Sequence, residues 1–128
     1  MKKAELTEKQ IQFILNDKFD ENFWYYYLGM NVSKHNEQFK DNEFIIDFYD
    51  IGLEQWLKFK TTLADILCDR ENKIPKDWVD ELISGDIRNL LIAIASILVS
   101  TYSVELSLAI PIIALIVKHD IKLFCKEN

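Results

Sequence analysis

Glycine, proline, cysteine and histidine are all scarce in this chain of 128 residues, which holds 3 Gly, 2 Pro, 2 Cys and 2 His. Average usage of glycine and proline is roughly 7% and 5%, so the shortage argues against the turn-rich economy of a β-sandwich or barrel. It also excludes a glycine-rich phosphate loop, and dinucleotide motifs are absent as well. The two cysteines, Cys68 and Cys125, are too few for a disulfide framework and suit a reducing compartment. They can pair, but nothing in the sequence requires it. The opening Met1-Lys2-Lys3-Ala4-Glu5-Leu6-Thr7 carries neither the apolar run nor the small-residue cleavage site of a secretory signal. The expectation is a cytoplasmic protein.

What is present is a globular composition, with 49% apolar and 28% charged residues. The length suits one domain, 1–128, able to bury a core without a disulfide or metal. The net charge of −6 disfavours non-specific nucleic-acid binding. It is unevenly spread: residues 41–86 hold 12 acidic and 5 basic side chains, a local −7. Such a middle segment can face a basic partner, although a solvated helical surface has the same composition. Lys58 and Lys60, beside Trp56 and Phe59, resemble a basic patch with aromatics but lie inside this acidic stretch, so nucleic acid is not an expected partner.

Periodicity points to helices almost throughout. Thr7-Glu8-Lys9-Gln10 has the form of a capping box, and Ile11, Ile14, Leu15 and Phe19 follow at helical spacing. A second helix is expected over 20–28, stopped by Gly29. Its five consecutive aromatics, Phe23-Trp24-Tyr25-Tyr26-Tyr27, cover every face, so some must touch something other than a single core stripe. Residues 31–42 are polar and read as loop or weak helix. Phe44, Phe48 and Ile51 favour a helix, with Gly52 as a kink, and Leu53, Trp56, Leu57, Leu63, Ala64 and Leu67 make an apolar face up to Asp69. Residues 69–73 form a polar connector, and Pro75 suits the first turn of the next helix. Ser84-Gly85-Asp86 stops that helix and caps another over 87–100. Ser103 is a candidate N-cap for a last helix reaching Cys125, with Pro111 inside it as a kink.

Between Ile87 and Val117 the only charges are Arg88 and Glu105. A single membrane span would bury Glu105 near its centre at a cost of about 2.5–3.5 kcal/mol. A membrane hairpin avoids that, but each leg of about a dozen residues reaches roughly 18 Å at 1.5 Å per residue, against a hydrocarbon core of about 30 Å. The favoured reading is a buried hairpin at the centre of an all-α, compact bundle of five or six helices. Two helices apolar all round are hard to surround in so small a bundle, so a second copy or another protein is expected to cover one face, and a homodimer is the first expectation.

The candidate chemistry is thin. His35 lies in a polar segment and His119 near a helix end, where a cation is welcome. A His119-Asp120 pair evokes metal-dependent phosphohydrolases, which need further ligands that this chain cannot supply from one other histidine. Zinc spacing is missing, and Cys68 or Cys125 with His35 forms no local nucleophile signature. The carboxylates Asp47, Asp50 and Glu54 make a stripe at i, i+3, i+7; Asp65 with Asp69, and Asp77 with Asp80 and Glu81, make others. Solvated helix faces look the same. No catalytic, cofactor or metal site is therefore assigned, and a carboxylate or cysteine enzyme is the weakest reading. The leading expectation is a non-catalytic protein–protein interaction protein, of accessory, inhibitor or immunity type, working through an apolar or acidic helical face. Its candidate surface comprises Trp24, Tyr25, Tyr26, Tyr27, Asp47, Asp50, Glu54, Leu98 and Ile113. The alternative is a membrane-active protein that inserts 87–117.

Overall fold

A computed structural model describes residues 6–35 and 47–128. Among them are seven helices: α1 (Glu8–Leu15), α2 (Glu21–His35), α3 (Phe48–Leu67), α4 (Asp77–Ser84), α5 (Ile87–Ser100), α6 (Leu106–His119) and α7 (Ile121–Glu127). Two short strands, β1 (Cys68–Asp69) and β2 (Ile74–Pro75), pair antiparallel with Cys68 opposite Pro75. The described residues are all-α apart from this hairpin.

Local chemistry sets most boundaries. The capping box forms as expected: the Gln10 amide donates to Thr7 Oγ1 at 3.2 Å, and the Thr7 amide donates to Gln10 Oε1 at 2.8 Å. The Asp47 carboxylate caps α3, accepting from the amides of Tyr49 and Asp50. Asp86 caps α5 through the Arg88 amide at 3.0 Å, and Gly85 ends α4.

Several expected boundaries move. Gly29 lies inside α2 and Gly52 inside α3; neither stops nor breaks its helix. They mark a crossing. A Cβ on Gly29 would fall on the Phe48 carbonyl, and one on Gly52 would fall on the Tyr25 carbonyl and sit 3.0 Å from the Gly29 amide nitrogen. The two backbones thus touch at the glycines, and the pairing of 25 with 52 and 29 with 48 makes the helices antiparallel. Pro75 belongs to β2 rather than to the first turn of α4, whose N-cap is Lys76. The N-cap of α6 is Glu105, not Ser103, which takes a left-handed backbone at φ 56° in the preceding turn. The last helix is two: Asp120, at φ 74°, breaks it, and its side chain then caps α7 by accepting from the Lys122 amide at 3.0 Å. The expected helix start at 43–46 lies outside the described residues.

The core is organised around α6. Every residue from Ala109 to Ile116 is buried, Pro111 included. This helix packs against α1, α2, α5 and α7, while α3 packs mainly on α2. α5 buries Leu90, Leu91, Ile94, Ala95 and Leu98 and leaves Ile92 exposed on its outer side. The apolar stretch 87–117 is therefore the centre of the fold, and among the described residues no helix is long and apolar enough to cross a membrane.

Cys68 and Cys125 form a disulfide, with Cα atoms 5.5 Å apart and a sequence separation of 57. This corrects the reading of two independent thiols. Helical spacing could not reveal it, because the pair joins the end of α3 to α7 across three intervening helices.

Candidate functional site

The residues that most often carry chemistry are occupied locally. The disulfide removes both cysteines as nucleophiles or zinc ligands in this state. His119 Nε2 lies 3.2 Å from Glu127 Oε2, and its Nδ1 is 3.9 Å from Glu21 Oε1, while its ring meets Phe124 edge-on at 6.4 Å. Its neighbour Asp120 serves as a cap, so the dipeptide forms no metal dyad. The side chain of His35 lies outside the described residues. Among the described residues, no group of three or more His, Cys, Asp or Glu is placed to hold a metal.

The acidic stripe on α3 is exposed throughout. Asp47 is committed to capping and Glu54 pairs with Lys58 at 3.7 Å. The Asp47 carboxylate beside Asp50 raises the Asp50 carboxyl above its ordinary range, with slight desolvation in the same direction. Asp69 is shifted the other way, chiefly by the Asn72 side-chain amide that donates to its carboxylate at 2.8 Å. Asp65 accepts from Arg70 at 2.9 Å. None of these carboxylates lies in an enclosed cleft. The depression between α4, α5, α6 and α7, about 390 Å³, is bordered by Ile83, Ile87, Val117 and Lys118, and its one acid is the capping Asp120.

Aromatic chemistry is concentrated on one side of α2. Asp20 starts the helix by accepting from the Phe23 amide at 2.9 Å. Phe23 and Tyr27, one turn apart, stack with centroids at 5.7 Å, and Phe19 extends the stack at 4.4 Å from Phe23. Phe13 of α1 meets Phe19, Phe23 and Tyr27 nearly edge-on at 5.2, 6.0 and 5.4 Å. Trp24 lies beneath, fully buried against Phe13 at 4.8 Å, and its indole Nε1 has no hydrogen-bond partner. On the other flank, Tyr26 meets Phe48 at 5.5 Å and Tyr25 meets Tyr49 at 5.5 Å. Burial, with the Glu21 and Tyr49 side chains adding to it, raises the Tyr25 phenol above its ordinary value.

The outward face of α2 is consequently apolar. Phe23, Tyr27 and Met30 are half-buried there and Tyr26 is 47% exposed, with Asn22 and Lys34 as the polar members. α2 carries aromatic residues on more than one side, and the described residues cover chiefly its inner sides.

Of the expected surface residues, Tyr25, Tyr26 and Tyr27 keep part of their rings at the surface and Asp47, Asp50 and Glu54 are exposed. Trp24, Leu98 and Ile113 are each 0% exposed, which corrects their place in a docking surface. The cause is α6, which occupies the middle of the bundle and encloses all three positions in the core. Phe13, Phe23 and Met30 complete the aromatic surface and were not among the expected residues; the i, i+4 spacing of Phe19, Phe23 and Tyr27 was the signal available for them. Compared with known proteins, the chain matches no family model, no curated protein and no solved structure.

Proposed function

We propose that this chain is a non-catalytic protein–protein interaction protein, of accessory, inhibitor or immunity type, that docks through the outward face of α2. The observation carrying the reading is the aromatic run of α2, which the described residues leave partly open at Phe23, Tyr26, Tyr27 and Met30. Aromatics are favoured at interface cores because they bury large area with few rotamers to freeze, and methionine because its flexible, polarizable side chain fits an uneven partner surface. The occupant to which the reading commits is an apolar face of another protein, and a second copy of this chain is the first to be tested. The acidic stripe of α3, on the helix packed beside α2, makes a polar rim rather than the anchor.

A membrane-inserting role would need the apolar side chains of α5 and α6 to leave the core, and no feature of the fold favours it. Cytoplasmic placement drew part of its support from unpaired cysteines; with Cys68 joined to Cys125 that support is withdrawn.

The test is light scattering on a sizing column over a range of concentrations, for the wild type and Tyr26→Asp. Because Tyr26 already meets water, the substitution should leave circular dichroism and thermal stability almost unchanged while abolishing association. A wild type that stays monomeric at the highest concentration would sink self-docking and leave a different protein as the occupant. Unchanged association in Tyr26→Asp would remove α2 as the docking face.

A further inference from the structure

We propose that the Cys68–Cys125 disulfide is a redox-operated latch that holds α7 against the end of α3. The inference rests on the shortness of this terminal element and on the sharp turn that sets it off from α6. α7 spans seven residues, far below the length at which a helix persists alone. It is separated from α6 by Asp120 alone, whose left-handed backbone turns the chain sharply. Its inner side offers Ile121, Phe124 and Cys125, while Lys122, Leu123, Lys126 and Glu127 face outward, Leu123 being 44% exposed. Phe124, fully buried, approaches Trp56 with ring centroids 6.2 Å apart, α7 also packs on β2, α6 and the α3 helix, and the half-exposed His119–Glu127 pair adds a polar tie. α6 also has contacts of its own with α1, α2 and α5.

Both cysteines are buried, Cys68 being 2% and Cys125 0% exposed, and Cys68 is the one at the edge of a surface depression. Cys68 borders a surface depression of about 500 Å³ together with Asp69, Arg70, Ile74, Pro75, Lys76 and Asp77. A dithiol reductant attacks one sulfur as its thiolate, the other cysteine leaves as thiolate and takes a proton, and a mixed disulfide forms. The second thiol of the reductant then attacks that bond, so Cys68 and Cys125 end as thiols and the reductant as a disulfide, two electrons and two protons having moved. With the bond open, α7 detaches and the Trp56 surface beneath Phe124 becomes accessible. This holds whether or not α2 docks a partner.

The experiment is hydrogen exchange on the intact chain, purified in air, with and without dithiothreitol, after alkylation and mass measurement establish the state of the two cysteines. Amides of α7, such as those of Phe124 and Asn128, should lose protection roughly tenfold or more on reduction while those of α2 and α6 keep theirs. The double variant Cys68→Ala/Cys125→Ala should exchange like the reduced wild type; if it does not fold, the wild-type comparison decides alone. Three results overturn the latch: free thiols in the air-purified chain, α7 protection unchanged by reduction, or equal loss across α6 and α7.

Discussion

At the scale of single residues, the two helical glycines carry the largest consequence. Alanine is the better helix former by about 1 kcal/mol, so propensity alone would have Gly29→Ala and Gly52→Ala stabilise the chain. Here each new methyl meets a carbonyl of the facing backbone, of Phe48 or Tyr25, and a backbone has no rotamer with which to yield. The helices must part, loosening the packing along the whole α2–α3 interface. Overpacking of this kind costs typically 1–3 kcal/mol and occasionally more, and this case belongs at the upper end. Each substitution should lower stability by about 2 kcal/mol or more in urea denaturation, and a neutral or stabilising result would mean that the crossing is looser than described. A second residue-scale effect is electrostatic. Ionised Asp50 is less favourable in the folded chain than in the unfolded one, since Asp47 outweighs the attraction of the helix N-terminus. Its contribution therefore destabilises above its raised folded pKa, fades as pH falls through that value and is gone below the unfolded one. Asp69, held low by Asn72, acts oppositely: its stabilisation is present above the unfolded pKa and is lost as pH falls through the folded one. Asp50→Asn should thus raise the denaturation midpoint at neutral pH and lose that advantage in acid, whereas Asp69→Asn should lower the midpoint at neutral pH and converge on wild type in acid.

At the scale of elements, α5 and α6 show how far a periodic pattern can be followed. Their apolar run, the capping box at Thr7 and the Asp86 cap were all legible, because each depends on residues within a turn or two of one another. The expected stop at Gly29 and kink at Gly52 were misplaced for the opposite reason. A glycine admitted for a tight crossing is indistinguishable in sequence from one that ends a helix until its partner helix is known. The break at Asp120 escaped because aspartate rarely adopts a positive φ, and Lys118-His119-Asp120-Ile121 reads as an unbroken turn. The disulfide escaped because its halves share no local pattern. For the candidate site, the aromatic cluster on α2 was visible, but its division into buried Trp24 and exposed Tyr26 depends on where α6 and α3 lie. The same division separates the two sides of α5. Leu98→Asp places an unpaired charge at a fully buried position, a cost of several kcal/mol against a total stability of about 5–15. Ile92→Lys, on the outer side, should stay within about 0.5 kcal/mol of wild type. Circular dichroism melts of the pair check this: Leu98→Asp unfolded or nearly so, Ile92→Lys unaltered.

At the scale of the whole molecule, the position of α6 decides how the chain comes apart. A bundle whose helices met only their sequence neighbours could lose α1 and α2 while the C-terminal half persisted. Here α1 and α2, from the N-terminal part, and α5 and α7, from the C-terminal part, all rest on α6, whose residues from Ala109 to Ile116 are buried. Removing either group exposes the same eight buried residues, so partial unfolding gains the conformational entropy of a few helices at the cost of the central apolar surface. Cooperativity follows from this shared core rather than from chain length. With the disulfide intact, α7 is also tied to the end of α3, which closes the remaining route to piecemeal opening. The three tryptophans sample the molecule widely: Trp24 on α2, Trp56 on α3 and Trp78 on α4. In the oxidised chain, tryptophan fluorescence and far-ultraviolet circular dichroism should therefore give coincident urea transitions with a single midpoint, the signature of two-state unfolding. Separate midpoints would mean that the α2–α3 pair is stable without α6. In that event the glycine crossing, rather than the buried C-terminal hairpin, would be the nucleus around which this fold is held.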